Sequence, residues 1–303
     1  MKLSPVALFV YRRPRHTRRT VEALLANHLA PQTDLYIFAD GPRDPSMGQA
    51  VAEVRKYIRT IDGFRSVSVY EREENLGLAN SVIEGVSRLC EEHGRVIVLE
   101  DDLVTAPGFL SFMNEALTRY ENDDRVMQIS GHMFPVKFST TPGSVIFPFP
   151  TSWGWATWAR SWKWFDRSAF MYSILKRDAR LRRKFNLYGA YDYFSILENQ
   201  LEGRVDSWAI YWYCSIFQRN GLVVYPGRSL VSNIGFDGTG EHCSRLDNAH
   251  DSNDVFESFR KNGATAFREV EVSRFEFQVV CDYLASHGSI SKRLLYFLRK
   301  LFP

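Results

Sequence analysis

The 303-residue chain has only four cysteines, Cys90, Cys214, Cys243 and Cys281. They are widely spaced and form no Cys-x-x-Cys pair, which argues against a zinc cluster or a disulfide framework and fits a reducing cytoplasm. Long apolar runs are missing too. No stretch approaches the roughly 20 residues that a spanning helix needs, so no integral membrane segment is expected. The apolar start, Val6 to Tyr11, is short and leads into Arg12 and Arg13 rather than a small-residue cleavage site. No secretory signal is therefore expected. Charge of one sign is also scarce. A net charge of +3 is too mild to imply a nucleic acid partner, and basic residues gather only at Arg12 to Arg19, Arg177 to Lys184 and the C-terminus. Internal repeats and low-complexity linkers are absent, so the chain is expected to be one continuous fold.

What is present is an ordinary globular composition, 45% hydrophobic and 24% charged, arranged as alternating strand-like and helical stretches. Strands are expected at Val6 to Tyr11, Leu35 to Ala39, Ser66 to Tyr70, Val96 to Leu99 and Val126 to Ser130. Helices are expected between them, at about Thr17 to Asn27, Gly48 to Thr60, Leu78 to His93 and Pro107 to Tyr120. Such alternation predicts an α/β fold with a mostly parallel sheet covered by helices. Beyond residue 131 the periodicity weakens, aromatic residues become dense, and Gly and Pro interrupt the chain. A substrate-facing second half is expected there.

Arg95 to Leu103 reads Arg-Val-Ile-Val-Leu-Glu-Asp-Asp-Leu, an apolar run that stops on Glu100, Asp101 and Asp102. Three adjacent carboxylates repel one another and keep their charge only if water or a cation compensates them. A solvated acidic turn is the bland alternative. In open α/β sheets, however, ligands bind beyond the carboxyl ends of the strands, and an oxygen-preferring divalent metal explains the cluster economically.

Asp40 ends another strand and precedes Gly41 and Pro42, so its carboxylate is expected at the same sheet edge, either as a ligand or as a turn former. Arg12 or Arg13 ends the first strand. Glu74-Asn75-Leu76-Gly77-Leu78 forms a tight turn into a helix whose first amides favour anions. The tryptophans fall in two clusters, Trp153, Trp155, Trp158, Trp162 and Trp164, then Trp208 and Trp212. They suit sugar-ring faces or ordinary core, and a mixture of the two is expected. Asp206, just before Ser207 and Trp208, reads as a helix cap, a general base, or both. Asn233 to His242 holds three glycines and ends in a histidine able to reach a metal or phosphate; it is either a closing loop or a plain surface loop. Ser291 to Pro303 interleaves Leu, Tyr and Phe with Lys292, Arg293, Arg299 and Lys300. It suits an anionic membrane surface or packing on the domain.

Taken together, Val6 to Pro14, Asp40-Gly41, Asn75-Leu76-Gly77 and Glu100-Asp101-Asp102 resemble the nucleotide-sugar glycosyltransferases of the GT-A fold, in a family 2-like form. The triplet followed by Leu103, Ala106-Pro107 and Phe109 is also similar to N-acetylglucosaminyltransferase I and its relatives. The resemblance covers about residues 4 to 245 and implies a GT-A domain over residues 1–285. Residues 1–130 would then be its nucleotide-sugar half and 131–285 its acceptor half, with a basic tail at 286–303. It implies Asp40 at the nucleotide base, Arg13 near the base or phosphates, Glu100 at the ribose, Asp101 at the sugar, and Asp102 on Mn²⁺ or Mg²⁺. Asn75 and His242 would also face the donor, with UDP-sugars favoured.

The same resemblance makes Asp206 the base of an inverting transfer to a glycan or lipid-linked acceptor in surface polysaccharide synthesis. This chain has Ser207 where the family carries a further acid, so Asp192 and Glu198 remain alternatives. The cytoplasm, or the inner face of its membrane, is the expected location. A sugar-phosphate nucleotidyltransferase and a non-catalytic glycan-binding protein are the competing readings.

Overall fold

The computed structural model describes residues 3–138, 143–238 and 266–287. Its strands are β1 Val6–Val10, β2 Asp34–Ala39, β3 Ser66–Glu71, β4 Arg95–Glu100, β5 Leu103–Thr105, β6 Val126–Ser130, β7 Ser144–Phe147, β8 Trp155–Trp158, β9 Leu222–Pro226 and β10 Val231–Asn233. Its α-helices are α1 Pro14–Leu25, α2 Gly48–Ile58, α3 Leu78–His93, α4 Phe109–Arg119, α5 Ala159–Trp162, α6 Phe170–Arg177, α7 Ala179–Phe185, α8 Tyr193–Leu201, α9 Trp208–Gln218 and α10 Arg274–Ser286.

Eight strands form one sheet in the order β3-β2-β1-β4-β8-β6-β9-β7. The first four run parallel, and a helix follows each of β1, β2 and β3 before the next strand in sequence. β8 inserts antiparallel between β4 and β6, and β7 closes the far edge antiparallel to β9. The sheet is thus parallel through the nucleotide-side half expected from sequence and mixed beyond it. β1 is buried along its whole length. That is why it reads as an unbroken apolar run: strands covered on both faces lose the alternation of a one-sided sheet. Leu8 and Val10 enter a core with Val21, Leu24 and Ile58, while Ala7 and Phe9 enter the opposite one with Val82, Val86 and Leu89. Leu8 is fully buried, and truncating it to alanine would cost about 2–5 kcal/mol.

Most of the tryptophans are core. Trp155, Trp158, Trp162, Trp208 and Trp212 are buried, and Trp155 stacks on Trp208 with ring centroids 4.9 Å apart. Trp212 Nε1 donates to Gln128 Oε1 at 2.7 Å, so its polar edge is satisfied inside. Trp164 lies on the surface beneath Arg219. Only Trp153 is half-buried near the carboxyl ends of the strands described below. Cys90, Cys214 and Cys281 are buried, and burial pushes the Cys90 and Cys214 thiols up to about 12. They are packing residues rather than nucleophiles. Among the described residues no helix is long and apolar enough to cross a membrane.

Candidate active site

β2, β1 and β4 are neighbours and parallel, so the residues just past their C-terminal ends emerge at one edge. Pro14 opens α1 immediately after β1. Its fixed φ suits the first helical position, where the missing N–H costs nothing, and the short connection holds Arg13 at the strand end. β4 ends at Glu100, and Asp101 and Asp102 follow it.

Arg13 ties these ends together. Its Nη2 donates to Asp101 Oδ1 and, at 2.9 Å, to Asp102 Oδ2. Asp101 and Asp102 are buried, and the Arg13 side chain is largely covered. Thr20 Oγ1, about two turns further along α1, donates to the Asp101 carbonyl at 2.8 Å and fixes the backbone there. Burial alone would lower the Arg13 pKa, but Asp101 and Asp102 outweigh it and drive it upward.

The compensation is incomplete, because one guanidinium faces three acids. Burial pushes the Glu100 carboxyl up to about 8, with Asp102 and Asp101 adding to the rise and Arg13 opposing it. Burial likewise raises Asp101 against the pull of Arg13. Asp101 Oδ2 and Arg13 Nη1 are buried without a hydrogen-bond partner, so the cluster holds an acceptor and a donor that the described residues do not use.

Asp40 has a different environment. Its Oδ1 accepts from the amides of Gly41 at 3.0 Å and Leu76 at 2.9 Å, and its Oδ2 accepts from Gly77 at 3.0 Å. Asn75 Nδ2 donates back to the Gly41 carbonyl at 2.8 Å. Asp40 and Asn75 therefore stitch the turn after β2 to the turn before α3. Three of the four or so acceptor positions of the Asp40 carboxylate are taken by backbone. Gly77 has φ +78° and caps α3, a conformation a side chain would strain.

Asp206 reaches this stitched pair of turns from the second half of the chain. A methyl group at Gly77 would come within 3.3 Å of Asp206 Oδ2. The expectation that Asp206 caps a helix is not met. α9 starts at Trp208 with Ser207 as its cap residue and makes no side-chain cap hydrogen bond. Asp206 is exposed rather than partly desolvated. The alternatives are engaged elsewhere: Asp192 caps α8, accepting from Ser195 N and from Asn186 Nδ2, and Glu198 accepts from Tyr172 Oη at 3.3 Å.

The largest feature not foreseen from sequence is what covers Asp102. β10 pairs antiparallel with β5, and Ile234 N donates to the Asp102 carbonyl at 2.9 Å. This brings Gly235 so close that a Cβ there would fall 2.2 Å from Asp102 Oδ2 and 3.1 Å from Arg13 Nη1. His16 holds the same segment, its Nε2 lying 3.2 Å from the Ile234 carbonyl and 3.2 Å from Asp237 Oδ2. Phe236 meets Trp153 edge-on at 5.6 Å, and Trp153 meets His132 at 4.6 Å. Of the glycine-rich loop expected to close over a substrate, Ile234 and Gly235 lie against Asp102, whereas Asp237 and Gly238 are exposed. The only sequence signal was Asn233-Ile234-Gly235 itself, since the contact joins residues more than a hundred positions apart. His242 lies outside the described residues, as does the tail apart from Ser286 and His287.

Among the described residues no three His, Cys, Asp or Glu side chains surround a common point. The donors that could hold a hard divalent ion are the carboxylates that Arg13 joins. Asp102, with the unused Asp101 Oδ2, offers the one or two carboxylates that Mg²⁺-type ions take when substrate phosphates and water complete the shell.

No protein-family model matches the chain, and no curated protein does. Among solved structures it is similar to the mannosyltransferase PcManGT from Pyrobaculum calidifontis, in complex with GDP-Man and Mn²⁺, at 12% identity and a TM-score of 0.36. That match covers 51% of this chain and 44% of the other. It is also similar to S. aureus TarS, at 11% identity and a TM-score of 0.33, over 51% of this chain and 28% of the other. The chain thus spans less than half the length of either structure, and likeness at this level carries no argument about activity.

Proposed function

We propose that the chain is a metal-dependent, inverting glycosyltransferase that moves a sugar from a nucleotide-sugar to a hydroxyl of a glycan or lipid-linked acceptor. The observation that carries this reading is the joining of Arg13 to Asp101 and Asp102 at the ends of two parallel strands, beside the Asp40–Gly77 turns and an exposed Asp206. A nucleoside diphosphate needs a cationic group for its phosphates and an acidic or polar wall for its base and ribose. This edge offers Arg13, whose Nη1 is unbonded among the described residues, beside Asp40 and Glu100. Asp102 is the residue that would hold Mn²⁺ or Mg²⁺, which supplies Lewis-acid neutralisation of the leaving diphosphate.

Arg13, Asp101 and Glu100 would then line the phosphates, sugar and ribose. Asp40 acts mainly by holding the 74–77 turn in place, with its remaining acceptor position toward the base. Asp206 takes the acceptor hydroxyl proton as the oxygen attacks the anomeric carbon. The bond from that carbon to the diphosphate oxygen breaks, and the nucleoside diphosphate leaves with the electron pair. Exposure suits this role, because the acceptor must reach Asp206 from solvent.

Surface polysaccharide is the favoured product class, and the basic tail at 286–303 is a sequence-based candidate for membrane contact. The direct test is incubation with a panel of nucleotide-sugars, Mn²⁺ and glycan acceptors, read by NMR at the anomeric position. A product of inverted configuration is expected. Pyrophosphate formed from a nucleoside triphosphate would instead identify a nucleotidyltransferase.

A further inference from the structure

Outside the site, α6 and α7 build a strongly basic surface. Lys176, Arg177, Arg180, Arg182, Arg183 and Lys184 fall within nine consecutive positions, with Asp178 the one acid among them. All except the half-buried Arg182 are exposed. None of the six makes an ion pair among the described residues, although most other arginines of the fold do. Asp178 caps α7 by accepting from Leu181 N at 2.8 Å.

Basic residues near helix C-termini have an ordinary use, which is to satisfy the last carbonyls. Arg182 does this, donating to the carbonyls of Leu175 and Lys176 at 3.2 and 3.1 Å. Arg177, Arg180 and Arg183 make no such bond and project charge into solvent without a structural use.

The patch is also shaped. Ala179, Arg182, Arg183, Asn186 and Gly189 line an open hollow of about 400 Å³. At its rim the backbone turns through Leu187 and Tyr188, both with positive φ at 48° and 59°. Positive φ is costly for such side chains, and here it buries Leu187 while leaving Tyr188 51% exposed. Tyr191 and, on α6, Phe170 are likewise exposed. Uncompensated cations with protruding aromatic rings match the two components of a bilayer surface, anionic headgroups and the interfacial zone that accepts amphipathic rings.

We infer that the α6–α7 face docks on an anionic lipid bilayer, with Arg177, Arg180 and Arg183 against headgroup phosphates and Tyr188 in the interfacial layer. Nucleic acid would use the same cations, but this patch is confined to nine positions and the net charge is +3, without the extended stripe that a polyanion tracks. The inference does not depend on the glycosyltransferase reading, because it concerns binding without any donor.

The test is co-sedimentation of the full chain with vesicles of phosphatidylcholine alone or mixed with phosphatidylglycerol. Binding is expected only to the mixed vesicles, weakening as salt rises. Arg177→Glu/Arg180→Glu/Arg183→Glu should reduce it on the order of 100-fold, with an unchanged melting temperature and unchanged nucleotide-sugar binding. If the triple variant fails to fold, Arg180→Glu and Tyr188→Ser are tested singly, each with partial loss expected. Lys292→Glu/Arg293→Glu in the tail serves as the comparison. Full retention of binding by the folded α6–α7 variants, with loss only in the tail variant, would overturn the inference. Binding of inorganic phosphate or single-stranded DNA without vesicle binding would overturn it too.

Discussion

Arg13 and Asp102 come from the ends of β1 and β4 and meet at 2.9 Å, and the same guanidinium also reaches Asp101. Removing the cation leaves two buried carboxylates facing each other. Arg13→Gln should therefore destabilise the fold by about 3 kcal/mol, the usual result of breaking a covered pair from one side. Urea denaturation measures it. Asp101→Asn in the same chain should recover part of the loss, and strict additivity of the two substitutions would contradict the coupling.

Gly235 lacks a side chain because Asp102 Oδ2 occupies the space one would need. Gly235→Ala should displace either the 234–237 segment or the Asp102 carboxylate. Mn²⁺-dependent nucleotide binding is expected to weaken about 10–100-fold, as it does when the support of a ligating side chain is lost. Unchanged calorimetric affinity would show that the segment gives way without consequence.

Asp206 is exposed and caps nothing, so Asp206→Asn should change stability by less than about 0.5 kcal/mol. Turnover should fall about 10²–10⁴-fold if it takes the acceptor proton, with donor affinity preserved. Full activity in the variant would move the base elsewhere.

Glu100 predicts a pH dependence of the metal-free protein. Its folded pKa, near 8, lies above the ordinary 4.5, so the native state holds a proton that the unfolded chain releases. The associated stability is present in full below the unfolded value and is lost as pH rises through the folded one. In chelator, melting temperature should fall between about pH 5 and pH 8, and Glu100→Gln should flatten that fall. Equal slopes for parent and variant would contradict the assignment.

The parts of the fold legible in sequence are those governed by local periodicity. α3 and β6 have the bounds their patterns indicate, Leu78 to His93 and Val126 to Ser130. α1 begins three residues earlier than Thr17, because Pro14 can open a helix as well as interrupt one. β8 was not legible. Trp155–Trp158 has no alternation to read, and its antiparallel place between β4 and β6 is set by long-range packing. The acidic end of β4 was conspicuous as sequence. The covering of Asp102 by Gly235 and the bonding of Asp40 to the Leu76 and Gly77 amides were not, since each depends on contacts between distant turns.

Calorimetric titration of the intact chain with a panel of nucleotide-sugars, with and without Mn²⁺, tests the proposed chemistry most directly. At least one nucleotide-sugar should bind with Mn²⁺, bind weakly in chelator, and lose the metal-dependent part in a folded Asp102→Ala variant. No binding under any condition, or equal binding by Asp102→Ala, would contradict a metal-assisted nucleotide-sugar site at the ends of β1, β2 and β4.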